Sequence, residues 1–299
     1  MNLYEGTDRM TKNILLTEII ENGIMSEEHR KKGIMNEGYP LQRFCAKKLQ
    51  NLGWEVFEEY PVEQPIPVDY HPYGGVAGQF KEVRTSGDIR AIHQYLTKGF
   101  SVCVCVSCKK QSEIDWVFMK EMFTENVHKM MTAKKGEHNV YDYVFDLKHE
   151  LDVNYPLCNI PTQLYNKKGK KEENMIVKTS ENLYLETLQT FNDQRIWLQD
   201  DAPYSQIIYI PIIVTGAKIH VYDIDENNFD ISKTDSIDIQ EVNYLMYQHH
   251  LPRSMHRNLS VQNANDLMIL DKFNHFVVNY EHFEDFIKSL MKKFEDHPI

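Results

Sequence analysis

Apolar residues recur at helical spacing over residues 7–22, where Met10, Ile14, Leu15, Ile19 and Ile20 follow Thr7 as a cap. This pattern predicts an amphipathic helix. A second helix is predicted over 39–52. Pro40 is tolerated in its first turn, Leu41, Phe44, Cys45, Lys48 and Leu49 mark one side, and Gly53 supplies the stop. The period then drops to two over 54–58, a strand. Residues 61–78, with Pro61, Pro65, Pro67 and the Gly74-Gly75 pair, read as a loop.

A short strand is predicted over 86–93, and a central one over 100–108, where Val102, Val104 and Val106 sit in a continuous apolar run. Helices are predicted over 116–131 and 181–197. Strands over 206–215 and 218–224 meet at Gly216-Ala217 tightly enough to suggest a hairpin. Further strands are predicted over 237–245 and 276–278, and a closing helix over 280–294. Together these elements predict an α/β fold with a central mixed sheet and helices on both faces. An N-terminal helical extension (1–35) precedes one extended domain (36–299) with an elaborated C-terminal half.

The composition narrows the class. Across 299 residues, 42% are hydrophobic, enough for a core and too many for a disordered chain. No apolar run approaches the roughly 18 residues of a membrane-spanning helix. The first residues lack the basic flank and apolar centre of a secretion signal. Five cysteines, an odd number with Cys103, Cys105 and Cys108 crowded on one strand, do not suggest a disulfide framework, so a reducing cytoplasm is the expected setting. The formal charge of −11 means that a polyanion would have to meet a local basic patch. Lys109, Lys110, Lys134, Lys135 and the 167–171 run containing Lys168 and Lys170 are the candidates, although a charge run is also an ordinary solvated loop.

Candidate chemistry gathers around Asp88 and the end of the central strand. Side chains alternate along a strand, so Ser107 and Lys109 share a face while Cys108 takes the other. A neighbouring strand would bring Asp88 beside them. An acid, a second ligand and a lysine on one strand edge suit a hard divalent cation and a water aimed at a phosphodiester. Taken singly, Asp88 after Ser86-Gly87 also fits a turn acid that bonds backbone, and Lys109-Lys110 a polar strand end. Cys103, Cys105 and Cys108 lack an apparent fourth zinc ligand and read as buried apolar cysteines. The stretch from His249-His250 to His256-Arg257 is read as a polar surface loop, with phosphate contact as its functional alternative. No phosphate-binding loop, dinucleotide fingerprint or nucleophile elbow occurs.

Five local features resemble the PD-(D/E)XK nuclease superfamily, the restriction-endonuclease-like fold. They are Gly38-Tyr39-Pro40-Leu41-Gln42 opening a helix, Leu49 and Gly53-Trp54-Glu55-Val56 turning into a strand, Ser86-Gly87-Asp88-Ile89, Val104-Cys105-Val106-Ser107-Cys108-Lys109-Lys110, and Asp115-Trp116-Val117-Phe118 starting the next helix. The resemblance spans about residues 36–125 and suggests that 210–215 joins or flanks the same sheet. It implies a Mg²⁺-dependent DNA endonuclease, acting in restriction or defence, with Asp88 on the metal, Lys109 positioning water or stabilising charge, and a homodimer as a family-level expectation. The family places acids where this chain has Ser107 and, in some branches, Gln42. The alternatives are a catalytically degenerate nucleic-acid-binding or assembly module and a scaffold that touches no nucleic acid. If the site cuts, another acid must replace the missing ones, with Glu37, Glu58, Glu59 and Glu82 as candidates.

Overall fold

The computed structural model describes residues 31, 39–67, 80–120, 129–135, 144–147, 151, 155–165, 175–197, 203–224, 230, 232, 234, 237–251 and 272–297. The predicted helix over 7–22 and the basic run with Lys168 and Lys170 lie outside them. The chain divides into two units, Met1–Pro40 and Leu41–Ile299, and the elements below build the second. No described helix is long and apolar enough to cross a membrane.

Helix α1 (Tyr39–Asn51) buries Gln42, Cys45, Ala46 and Leu49 along one stripe. Its stop is stereochemical: Gly53 takes φ of 82°, a left-handed value that costs an L residue about 1–2 kcal/mol. The Gly53 N–H then reaches Gln50 O at 3.0 Å and the Trp54 N–H reaches Leu49 O at 3.1 Å, closing the helix end. Strands β1 (Glu55–Pro67), β2 (Phe80–Tyr95) and β3 (Phe100–Lys109) follow as an antiparallel meander. Strands β4 (Ile114–Lys120), β5 (Lys129–Lys134), β6 (Val144–Asp146) and β7 (Leu157–Tyr165) precede helix α2 (Met175–Trp197). Then come β8 (Gln206–Thr215), β9 (Lys218–Ile224), β10 (Ile237–Val242), β11 (Tyr244–His250), β12 (Lys272–Asn279) and helix α3 (Phe283–Asp296).

The mixed sheet runs β1-β2-β3-β8-β12-β11-β7-β4-β9-β10, with β5 and β6 attached beside β8. β3, β8 and β12 are mutually parallel, so their carboxyl ends share one edge of the sheet. Strand parity divides the core into two layers. Val102, Val104 and Val106 of β3 enter one with Ile208, Ile210, Ile212 and Val214 of β8, roofed by Cys45 and Leu49 of α1 and Phe283, Phe286, Ile287, Leu290 and Phe294 of α3. Cys103 and Cys105 enter the other, with Ile207, Tyr209 and Ile213 beneath Leu183, Leu188 and Phe191 of α2. Helices therefore cover both faces. Each fully buried aliphatic side chain contributes about 1.5–3 kcal/mol, so this double layer dominates the stability of the central strands.

Four local expectations are corrected. The described residues of the expected 116–131 helix are strand: 116–120 belong to β4 and 129–131 to β5, and the apolar Trp116-Val117-Phe118 run reflects a strand flanked by β7 and β9. The final feature of the resemblance is thus a strand, and among the described residues the next long helix is α2, which begins at Met175. β8 and β9 do not form a hairpin, because β3 occupies one side of β8 while β5 and β12 occupy the other. The expected loop over 61–78 begins as strand, since β1 continues through Pro67. The single strand over 237–245 is two, broken at Asn243.

Candidate active site at the carboxyl edge of the parallel strands

Ile89 of β2 faces Val106 of β3, so the next step toward the carboxyl end of β3 brings Asp88 opposite Ser107. Asp88 Oδ2 accepts a 2.6 Å hydrogen bond from the Cys108 N–H and a 3.3 Å bond from Ser107 Oγ. Gln42 Nε2, reaching over from α1, donates to the Asp88 carbonyl at 2.8 Å. Lys109 is fixed through its own carbonyl, which accepts from the Gly216 N–H at 3.1 Å. The four residues singled out in the sequence thus meet at one corner of the sheet, at the carboxyl ends of parallel strands where open α/β sheets commonly bind ligands. Asp88 bonds backbone, as a turn acid would, yet does so across two strands.

The sequence gives no direct pointer to a further acid, which comes from α2. Glu186 is only 5% exposed, and its Oε2 has no hydrogen-bond partner among the described residues. Burial raises its carboxyl well above the usual carboxylate range. The charge of Asp88 raises it further and Lys109 draws it back, which places all three charges within electrostatic reach of one another. Leu183, Leu188 and Phe191 of the same helix pack with Cys103 and Cys105, seating α2 on β3. A buried, unpartnered carboxyl is expensive, and groups of this kind concentrate at functional sites.

The other candidates fall elsewhere. Glu58 is ion-paired with Arg43; Glu59 sits at the β1 position opposite Asp88 but is exposed; Glu37 and the side chain of Glu82 lie outside the described residues. Lys110 is exposed beside the site. Lys134 pairs with Gln206 at the start of β8 and Lys135 follows it, while the site lies near Thr215 at the strand's end. At about 3.3 Å per residue that separation is roughly 30 Å, so this lysine pair does not share the Asp88 corner. All five cysteines are buried, Cys103 and Cys105 on the α2 side and Cys108 on the α1 side, as apolar cysteines would be. His249 is not in a surface loop but buried at the end of β11, where burial lowers it to about 4. Tyr247, Phe273 and Phe276, aromatic side chains that the scaffold alternative would place at an interface, are core residues. Among the described residues, no group of three or more His, Cys, Asp or Glu side chains is placed to hold a metal. No family model, no curated protein and no solved structure matches this chain.

Proposed function

We propose that the chain is a divalent-cation-dependent phosphodiesterase of the PD-(D/E)XK nuclease type, acting on DNA, with Glu186 as the acid that replaces those missing at Ser107 and Gln42. The observation that carries this reading is the buried Glu186 carboxyl, whose Oε2 has no hydrogen-bond partner among the described residues, within electrostatic reach of both Asp88 and Lys109. The first elements add support: helix α1 is followed by the antiparallel strands β1, β2 and β3, and the parallel strand β8 lies beside the strand that carries the lysine, with β4 to β7 inserted before helix α2.

The donor set fits Mg²⁺. This ion takes oxygen ligands and is held by one or two carboxylates together with waters and substrate phosphates, so a third protein acid is not required. Asp88 and Glu186 would hold it, and when bound it would supply charge neutralisation at the phosphoryl oxygens. The chain's own groups do the remaining work. The Ser107 hydroxyl and the Cys108 N–H both donate to Asp88, which fixes its orientation. Lys109, on the same face, supplies a cation to the developing phosphorane charge and a donor to the attacking water. Glu186, dry and short of partners, is held ready for a ligand. A setting inside the cell, where Mg²⁺ and reduced cysteines coexist, suits this chemistry.

The test is incubation of supercoiled plasmid and duplex oligonucleotide with the protein and Mg²⁺ or Mn²⁺, alongside Asp88→Ala and Lys109→Ala. Cleavage by the parent protein and its loss in both variants supports the reading. Salt-sensitive DNA binding without cleavage in either metal would replace it with the degenerate binding module.

A further inference from the structure

The sheet ladder is interrupted at one residue of β2. Pairing between β1 and β2 passes from Glu58↔Ile89 to Tyr60↔Gly87, and Glu59, which faces Asp88, takes the left-handed φ of 52°. The β2–β3 pairing also stops short, at Ile89↔Val106. A left-handed non-glycine residue costs of order 1–3 kcal/mol and persists only where its surroundings hold it. The Asp88 peptide is thereby released from both ladders, and α1 supplies its carbonyl with a new partner.

That partner is Gln42, itself 6% exposed. A carbonyl oxygen only accepts, so the amide end facing it must be the Nε2 donor, at 2.8 Å. Gln42 also lies on the α1 stripe with Cys45 and Leu49, across the sheet from α2 and Glu186. Both facts set it apart from the proposed cation ligands. We propose that Gln42 is a positioning residue, which clamps the Asp88 main chain through the carbonyl while Cys108 clamps the carboxylate, and is not a ligand itself. This inference rests on the cation-dependent reading of the site for its functional consequence, while the clamp itself is a separate structural claim.

Gln42→Glu separates positioning from ligation. The two side chains have nearly the same shape, but ionised Glu sets an acceptor against an acceptor and offers a cation a carboxylate. Gln42→Met, which keeps the length and loses the donor, provides the second variant. Three readouts are taken: Mn²⁺ affinity by electron paramagnetic resonance, the ¹H–¹⁵N position of the Cys108 amide, and kcat and KM for duplex cleavage. Positioning predicts that both variants shift the Cys108 amide, weaken Mn²⁺ binding and lower kcat by about 10- to 100-fold, with KM little changed. Tighter Mn²⁺ binding in Gln42→Glu, or an unmoved Cys108 amide in Gln42→Met, overturns the inference. If the parent protein neither binds Mn²⁺ nor cleaves, the cation reading fails by itself. The Cys108 amide then still decides the clamp, its displacement in both variants supporting it and its constancy refuting it.

Discussion

Replacing Glu186 by Gln should stabilise the fold and abolish cleavage, and the pH dependence of the first effect can be worked out in advance. The folded-state carboxyl titrates well above its usual value because it is buried, with the charge of Asp88 adding to the effect. Between the unfolded and folded values the native state holds a proton that the unfolded chain releases, so stability falls as pH rises through that window. Below the usual carboxylate range the penalty vanishes. Each pH unit of the window costs about 1.4 kcal/mol, and an unsatisfied buried polar atom about 1–3 kcal/mol. The amide of Gln carries no charge at any pH. Glu186→Gln should therefore match the parent protein near pH 4 and gain on it steadily as pH rises toward 8. At about 2–4 °C per kcal/mol for a large domain, each pH unit of the window is a Tm gain of about 3–6 °C. Thermal melts in chelator at pH 4, 6 and 8 measure it, with the cleavage assay run in parallel. Opposite signs for stability and activity are what a site held under strain for function produces. A variant destabilised by the same margin at every pH would refute the reasoning and make Glu186 a structural residue.

Three further outcomes are expected. Lys109→Ala should lower cleavage by about 10²- to 10³-fold, whereas Lys134→Ala with Lys135→Ala, at the far end of β8, should leave the rate within twofold, as side-by-side kinetics will show. His249 is neutral in the fold because burial lowers it from 6.5 to about 4, so stability is present above pH 6.5 and falls by about 3 kcal/mol as pH drops to 4. Urea titrations across that range should find this part of the slope missing in His249→Gln. Gly53→Ala should cost about 1–2 kcal/mol, read as a lower urea midpoint at unchanged m-value, because φ of 82° is hostile to a Cβ.

The parts of this fold that were legible are those whose pattern has one cause. α1 carries its apolar stripe and its glycine stop in the sequence, and the β3 run of Val102, Val104 and Val106 could only be a covered strand. Residues 116–118 were ambiguous, since a short apolar run fits a buried strand as well as a helix, and the partners that decide, β7 and β9, come later in the chain. Gly216-Ala217 looks like a hairpin turn because local sequence does not register that β8 is already paired on both sides. Asp88, Ser107 and Lys109 were legible through strand parity. Glu186 was not, because a single acid on a helix is ordinarily solvent-facing. Its one visible signal is that Leu183, Leu185 and Leu188 surround it on the helix. Gln42 was legible as a position but not as a donor, since its role depends on the interrupted ladder at Asp88.

The most direct test of the central claim is the rate of Mg²⁺-dependent plasmid cleavage in the parent protein and in Glu186→Gln at pH 8. The account predicts measurable cleavage in the first and at least a 100-fold loss in a variant that is folded and more stable. Equal cleavage in the two proteins would contradict it.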